Sequence, residues 1–255
     1  FRFIPHVSGI TGTARECARE IWSVHRRPFC PIPRHRPSQF HHGTTRVFAR
    51  AEQKWEAVVA LITAAHATNR PVLVGTRSIA ASEDLAARLQ GHGIHFRLLN
   101  AVRHQEEALI VEHAGALGAV TIATNMAGRG TDIRLGKGAA AVGGLLVVAT
   151  EPQRSGRIDR QLFGRAARQG DPGGGLLFLS FDDELLVDFL PAILRRAAGA
   201  IIAWRCPGAQ RMGVFLCRWA QRRAERAAYR QRLAVFEQDR WLQDNLSAGR
   251  TDFGL

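Results

Sequence analysis

Two stretches of this sequence carry residues whose types and spacing suit phosphate chemistry. The first is Thr121-Ile122-Ala123-Thr124-Asn125-Met126-Ala127-Gly128-Arg129-Gly130-Thr131-Asp132-Ile133. An apolar, β-branched run delivers a polar loop with glycines, and glycine lets a backbone approach phosphate closely. Gly128, Arg129, Gly130 and Thr131 are its candidate ligand-facing residues, and Asp132 could accept from a ribose hydroxyl or orient a water. A tight turn with a capping Asp is the alternative for any Gly-Thr-Asp. The second stretch is Gln161-Leu162-Phe163-Gly164-Arg165-Ala166-Ala167-Arg168-Gln169-Gly170-Asp171-Pro172-Gly173. On a helix, Arg165 and Arg168 share one face, with Gln161 a turn earlier. Two guanidinium groups so placed suit a triphosphate, and an arginine that stabilises its developing charge supplies ~10³- to 10⁵-fold in rate. The alternative is an exposed helix with ordinary surface arginines.

These residues need elements to hold them. Helical spacing runs over Lys54–Ala65 (Trp55, Val58, Val59, Ile62), Ser82–Gln90, Arg103–His113 and Ile158–Arg168. Ser82 reads as an N-cap and Gly91 as a C-terminal stop. Short apolar strands are predicted at Pro71–Thr76, Ile94–Leu99, Ala119–Thr124, Gly144–Thr150 and Leu176–Phe181, and the first residues, to about Thr13, read as a strand running into a glycine turn over His6–Thr13. A short helix is expected over Ala14–Ser23, followed by a basic connection broken by Pro28, Pro31, Pro33 and Pro37. Alternating strands and helices with apolar strands predict a parallel α/β sheet. Its ligand is expected beyond the carboxyl ends of the strands, at the loops after Val74, Ala123 and Val148. From residue 182 to 246 the pattern is helical, interrupted at Pro191 and Pro207-Gly208, with a last basic helix over Gly213–Asn245.

Composition narrows the class. A chain of 255 residues with 46% hydrophobic content builds one or two domains. No run approaches a membrane-spanning length. The opening Phe1-Arg2-Phe3-Ile4-Pro5 is not a signal peptide, and the chain is expected to begin inside a longer protein. Cys17, Cys30, Cys206 and Cys217 have no metal-site or disulfide spacing and fit reduced thiols in a cytosolic protein. The net charge of +13 favours polyanions such as nucleic acid or acidic lipid. Only Lys54 and Lys137 are lysines, so a coding bias toward arginine is an equal explanation.

Both phosphate-type stretches resemble the late helicase-type motifs of SecA, the bacterial preprotein translocase ATPase. Ser8-Gly9-Ile10-Thr11-Gly12-Thr13-Ala14, Pro71–Thr76 with Ser78-Ile79, and Leu99-Asn100-Ala101 match in the same order. The resemblance implies a RecA-like parallel sheet flanked by helices, with a helical C-terminal extension. It implies three parts: residues 1–35 ending a first motor lobe and connecting it, 36–181 as the second lobe, and 182–255 as a scaffold-like extension. Asp132 would contact nucleotide, Arg165 and Arg168 would face the phosphates of ATP, and Thr11-Gly12-Thr13 would couple the lobes. Mg2+ would be held by the first lobe. The implied setting is the inner face of the bacterial plasma membrane, with a SecYEG-type channel, unfolded preproteins and acidic phospholipid as partners, and a homodimer left open.

The sequence departs from a complete ATPase. No Gly-x-x-x-x-Gly-Lys-Ser/Thr motif occurs; Gly136-Lys137 is followed by Gly138. Asp182-Asp183-Glu184 reads as an acid-rich helix start rather than an Mg2+ motif. The chain alone is therefore expected to be inactive. Two other readings remain open. One is the C-terminal lobe of a nucleic-acid helicase, against which stands a single tyrosine and no aromatic stacking surface. The other is a non-catalytic interaction module.

Overall fold

The computed structural model describes residues 8–13, 17–99, 113–124 and 132–248. Among these, the strands are β1 (Gln39–His42), β2 (Arg46–Phe48), β3 (Val72–Thr76), β4 (Arg97–Leu99), β5 (Val120–Thr124), β6 (Leu145–Ala149) and β7 (Pro172–Ser180). They form one sheet in the order β1-β7-β6-β3-β5-β4, with β2 also paired to β7, and every pairing is parallel. The helices are α1 (Ala18–His25), α2 (Ala51–Ala67), α3 (Ile79–Gly91), α4 (Gly156–Phe163), α5 (Glu184–Phe189), α6 (Ala192–Ala203) and α7 (Ala209–Ala248). This is a parallel α/β sheet flanked by helices, with a helical C-terminal extension. The helix expected over Arg103–His113 lies, except for His113, outside the described residues. Residues 8–13, expected as a glycine turn after a strand, have no regular secondary structure, and the strand itself falls on residues outside the described ones.

The central strands β3, β5 and β6 are buried at every position. Alternation along them divides the core in two. Val72, Val74, Val120, Ile122, Leu146 and Val148 pack under α2 and α3. Leu73, Ala123, Leu145, Val147 and Ala149 face the other way, toward Leu162 and Ala166 in and just after α4. Close approach of α4 to the sheet depends on absent side chains. A Cβ on Gly75 would collide with the Leu162 side chain, and one on Gly175 would stand 2.5 Å from Phe163 Cδ1. A third apolar cluster joins Val47, Leu179 and Phe181 at the β2–β7 end of the sheet to α5, α6 and the first half of α7.

The sheet edge beside β7 was not visible in the sequence. His42 pairs with Gly175 and Arg46 with Phe178, so the edge strand carries one residue more than its partner between β1 and β2. This is a β-bulge. Gly43 donates to Gly175 O at 2.9 Å and lies where a Cβ would stand 2.6 Å from Leu176 Cγ. Farther along, Gln210 of α7 accepts from Val47 N–H at 2.8 Å and donates to Val47 O at 2.9 Å.

The helix signals needed two corrections. Ser78, not Ser82, caps α3, accepting from Ala81 N at 3.1 Å. Ser82 is buried one turn inside, where its hydroxyl donates to Ile79 O at 2.6 Å. Gly91 ends the helix, and the left-handed turn falls on Gly93 (φ 69°).

Candidate functional site

The two phosphate-type stretches meet. Arg168 Nη1 donates to Asp132 Oδ1 at 2.6 Å, and Gln169 Nε2 reaches Asp132 Oδ2 at 3.4 Å. Local chain geometry makes this possible. Helix α4 starts at Ser155, whose hydroxyl accepts from Arg157 N at 3.3 Å, and it ends at Phe163. Arg165 N and Ala166 N then bond to Leu162 O and Phe163 O, three residues back, and the helix tightens into a turn. Ala167 and Gln169 both take left-handed conformations (φ 53° each). The expected helix over Ile158–Arg168 therefore stops five residues early, and Arg165 and Arg168 do not share a helical face. Arg168 instead folds back, donating through Nε to Gly164 O at 2.9 Å.

Beside this turn lies a cleft of about 1090 Å3. Arg160, Gln161 and Arg168 line it. Thr11, Gly12 and Thr13 also line it, and Gln161 Nε2 donates to Thr13 Oγ1 at 3.3 Å. Arg34, His35 and Arg36 complete the wall. Arg36 donates to Gln169 O at 3.1 Å and Gln39 to Gly170 O at 2.6 Å, strapping the proline-rich connection over the arginine turn. Arg165 is partly buried but does not line the cleft. Gly128, Arg129, Gly130 and Thr131 lie outside the described residues. The residues missed by sequence reasoning are Arg34, His35, Arg36 and Arg160. The first three belong to a stretch recognised only as a basic connection.

No carboxylate is among the described residues lining the cleft, whereas four arginines are. Such a wall offers donors to anionic oxygens and no ligand set to a hard cation, which takes oxygen ligands.

The cleft is not where the sheet's topology suggested. Arg165–Gly170 lead directly into Pro172, the first residue of β7, so the site faces the amino-terminal side of that strand. None of residues 76–78 or 150–155, at the carboxyl ends of β3 and β6, lines it. Those carboxyl ends hold an ion network instead. Lys54 Nζ lies 2.6 Å from Asp183 Oδ1, with both side chains 2% exposed. Asp183 also accepts from Ser180 N at 2.8 Å and Ser180 Oγ at 2.7 Å. Burial pushes the Asp183 carboxyl above its usual range against the opposing pull of Lys54. Glu184 pairs with Arg77 and, at 2.9 Å, with Arg154. Burial likewise raises the Glu151 carboxyl. The acid-rich helix start read in the sequence is thus partly a buried anchor: Asp183 turns inward to Lys54, and Asp182 Oδ2 accepts from Ala51 N at 2.9 Å, at the start of α2.

The family model described as the SecA P-loop domain matches residues 39–142 and 137–198. The chain belongs to the SecA family. A "Protein translocase subunit SecA 2" of Magnetococcus marinus is 48% identical over 246 residues, covering 96% of this chain and 38% of that relative. A SecA 2 of Chlorobium chlorochromatii is 42% identical over 248 residues, covering 97% and 38%. The chain thus spans 38% of the length of these SecA relatives. Among solved structures, the E. coli DEAD-box protein SrmB is 23% identical, covering 61% of this chain and 84% of that one, with a TM-score of 0.46.

Proposed function

We propose that this chain carries the second motor lobe of a SecA-type protein-translocating ATPase, with residues 1–35 as the end of the first lobe and the connection between the two, 36–181 as the second lobe and 182–255 as a scaffold-like extension. The observation that carries the reading is the Asp132–Arg168 contact at 2.6 Å beside an arginine-lined cleft. It unites two segments that are separate in sequence and that both resemble nucleotide-facing SecA motifs.

In this reading the cleft receives the phosphates of ATP when a first lobe closes against it. Arg168 is held in place by Gly164 O and exchanges Asp132 for a phosphate oxygen. Charge on the leaving phosphate oxygens grows as the γ-phosphoryl transfers to water, and fixed guanidinium donors stabilise that charge more than they stabilise the ground state. Arg165 is the second arginine of the motif. Asp132, once released, accepts from a ribose hydroxyl or orients water, and Gly128, Arg129, Gly130, Thr131 and Gln161 are the further nucleotide-binding residues that the resemblance implies. Mg2+ belongs to the first lobe, as the family resemblance implies, and no carboxylate is among the described residues that line the cleft. The chain alone, without a phosphate-cradling glycine loop, hydrolyses little or no ATP. The implied partners are a SecYEG-type channel, unfolded preproteins and acidic phospholipid at the inner face of the plasma membrane.

The test is a chimaera in which this chain replaces the matching part of the Magnetococcus marinus relative. ATP hydrolysis is measured with channel-bearing vesicles plus an unfolded preprotein, and separately with single-stranded RNA. Stimulation by vesicles and preprotein, lost in Arg168→Ala, supports the reading. Stimulation by RNA alone moves the lobe to the helicases.

A further inference from the structure

Helix α4 has two ends, and the cleft uses only one. At the other, Glu225 of α7 accepts through Oε1 from Gly156 N–H at 2.9 Å and from Ser155 Oγ at 3.1 Å. These donors open the helix, and the first-turn N–H groups of any helix lack partners within it. One turn earlier on α7, Gln221 Nε2 donates to Asp159 Oδ2 at 2.7 Å and to Gln153 O at 2.9 Å. Asp159 closes the loop by accepting from Gln153 N at 3.0 Å. Gln221 and Glu225 stand four residues apart, so they present one face of α7 to α4.

We infer that Gln221 and Glu225 form a polar clasp that transmits the position of the arginine turn to the 40-residue helix α7. This rests on the reading of the arginine-lined cleft as a phosphate site. Three features support the clasp. Helix α4 has only 8 residues, about 12 Å at 1.5 Å per residue, and so moves as a rigid piece. Its last turn sits against the sheet, with Leu162 at Gly75, and Gly164, the next residue after it, accepts from Arg168. The link at that end is made of hydrogen bonds, whereas the rest of the α7 base is held by Leu216, Cys217, Ala220 and Ala224 in an apolar cluster. Hydrogen bonds can be exchanged one at a time with small net cost, which suits a contact that shifts between two arrangements. The continuous path is Asp132, Arg168, Gly164, α4, Asp159, then Gln221 and Glu225. Gln221 and Glu225 are positioning residues: neither lines the cleft.

The experiment is amide hydrogen exchange of the 255-residue chain, with tripolyphosphate as probe. In the wild type, tripolyphosphate slows exchange in residues 164–170 and also in 218–226, the latter on the order of ten-fold, within the usual range of coupling. Glu225→Ala and Gln221→Ala retain the slowing at 164–170 and lose it at 218–226. Glu225→Gln keeps an oxygen acceptor and behaves as the wild type, which a merely bulky or structural role would not require. Equal slowing at 218–226 in wild type and Glu225→Ala overturns the clasp while leaving the phosphate reading standing. If tripolyphosphate leaves 164–170 unchanged, the phosphate reading fails, and a second comparison decides the clasp. Asp132→Ala frees Arg168; it then changes exchange at 218–226 when Glu225 is present and not when it is Ala. The same change on both backgrounds overturns the proposal.

Discussion

Arg168 and Asp132 are 36 residues apart in sequence and 2.6 Å apart in space. The pair is partly exposed, at 37% and 38% of the side chains, so it is worth little as a stabilising contact. Its significance is positional. In the chimaera, Arg168→Ala lowers stimulated ATP turnover by ~10³-fold or more, the range for arginines that face transferring phosphate. Arg168→Lys restores little of it, because an ammonium cannot contact Gly164 O and a second oxygen through a planar fork. The melting temperature of either variant stays near that of the parent. A large fall in melting temperature would instead mark Arg168 as a structural residue.

The buried Lys54–Asp183 pair behaves in the opposite way. Removing one partner leaves an uncompensated charge where both side chains are 2% exposed. Lys54→Ala or Asp183→Ala should each cost about 3–5 kcal/mol in urea unfolding. Replacing both together, as Lys54→Met with Asp183→Leu, should cost clearly less than the sum of the two single changes. Additive losses would show that the two groups do not interact.

Stability should also depend on Asp159. Burial pushes its carboxyl up to about 6 from an ordinary 3.8, against the pull of Gln221 and of the Gln153 N–H. Its folded pKa exceeds its unfolded one, so the folded state binds the proton more readily. This group therefore adds stability as pH falls from about 6 toward 3.8, and that contribution is lost as pH rises through 6. Of the nearby charges, Arg160 pulls the same carboxyl down and Glu225 pushes it up, both less than burial does. In Asp159→Asn, unfolding free energy followed across that window should lose this component of its slope. An unchanged slope would assign it to other carboxylates.

Gly173 tests how tightly the arginine turn is seated. A Cβ there would lie 2.7 Å from Ala167 N and 3.2 Å from Leu145 O, both backbone atoms that cannot swing aside. Gly173→Ala should cost about 1–3 kcal/mol through forced backbone shifts. It should also reduce the binding of tripolyphosphate, because Ala167 adjoins Arg168. Loss of stability with unchanged binding would show that the turn relaxes without moving the guanidinium.

The parallel α/β class was legible because β3, β5 and β6 are short runs of β-branched and apolar residues, buried on both faces. The edge strand was not. Gln39-Phe40-His41-His42 is mostly polar and exposed, follows four prolines, and is held by backbone pairing to β7 rather than by its own pattern. At the site, the two motifs could be read from residue type, but their contact could not. It depends on left-handed conformations at Ala167 and Gln169, neither a glycine, which no local propensity announces. Lys54 was read only as the start of a helix, from the apolar spacing of Trp55, Val58, Val59 and Ile62 that follows it. Only the neighbouring Asp183, 129 residues away, explains why it is inside.

The double contact between Gln210 and Val47 has a consequence for how these molecules share a solution. A sheet margin with free N–H and C=O groups is a template on which another chain can add a strand. Gln210 fills that template at Val47 with an amide that imitates a neighbouring backbone, offering one acceptor and one donor. The base of the long helix is therefore also a stopper, and each molecule carries its own substitute for the strand that a second copy would otherwise supply.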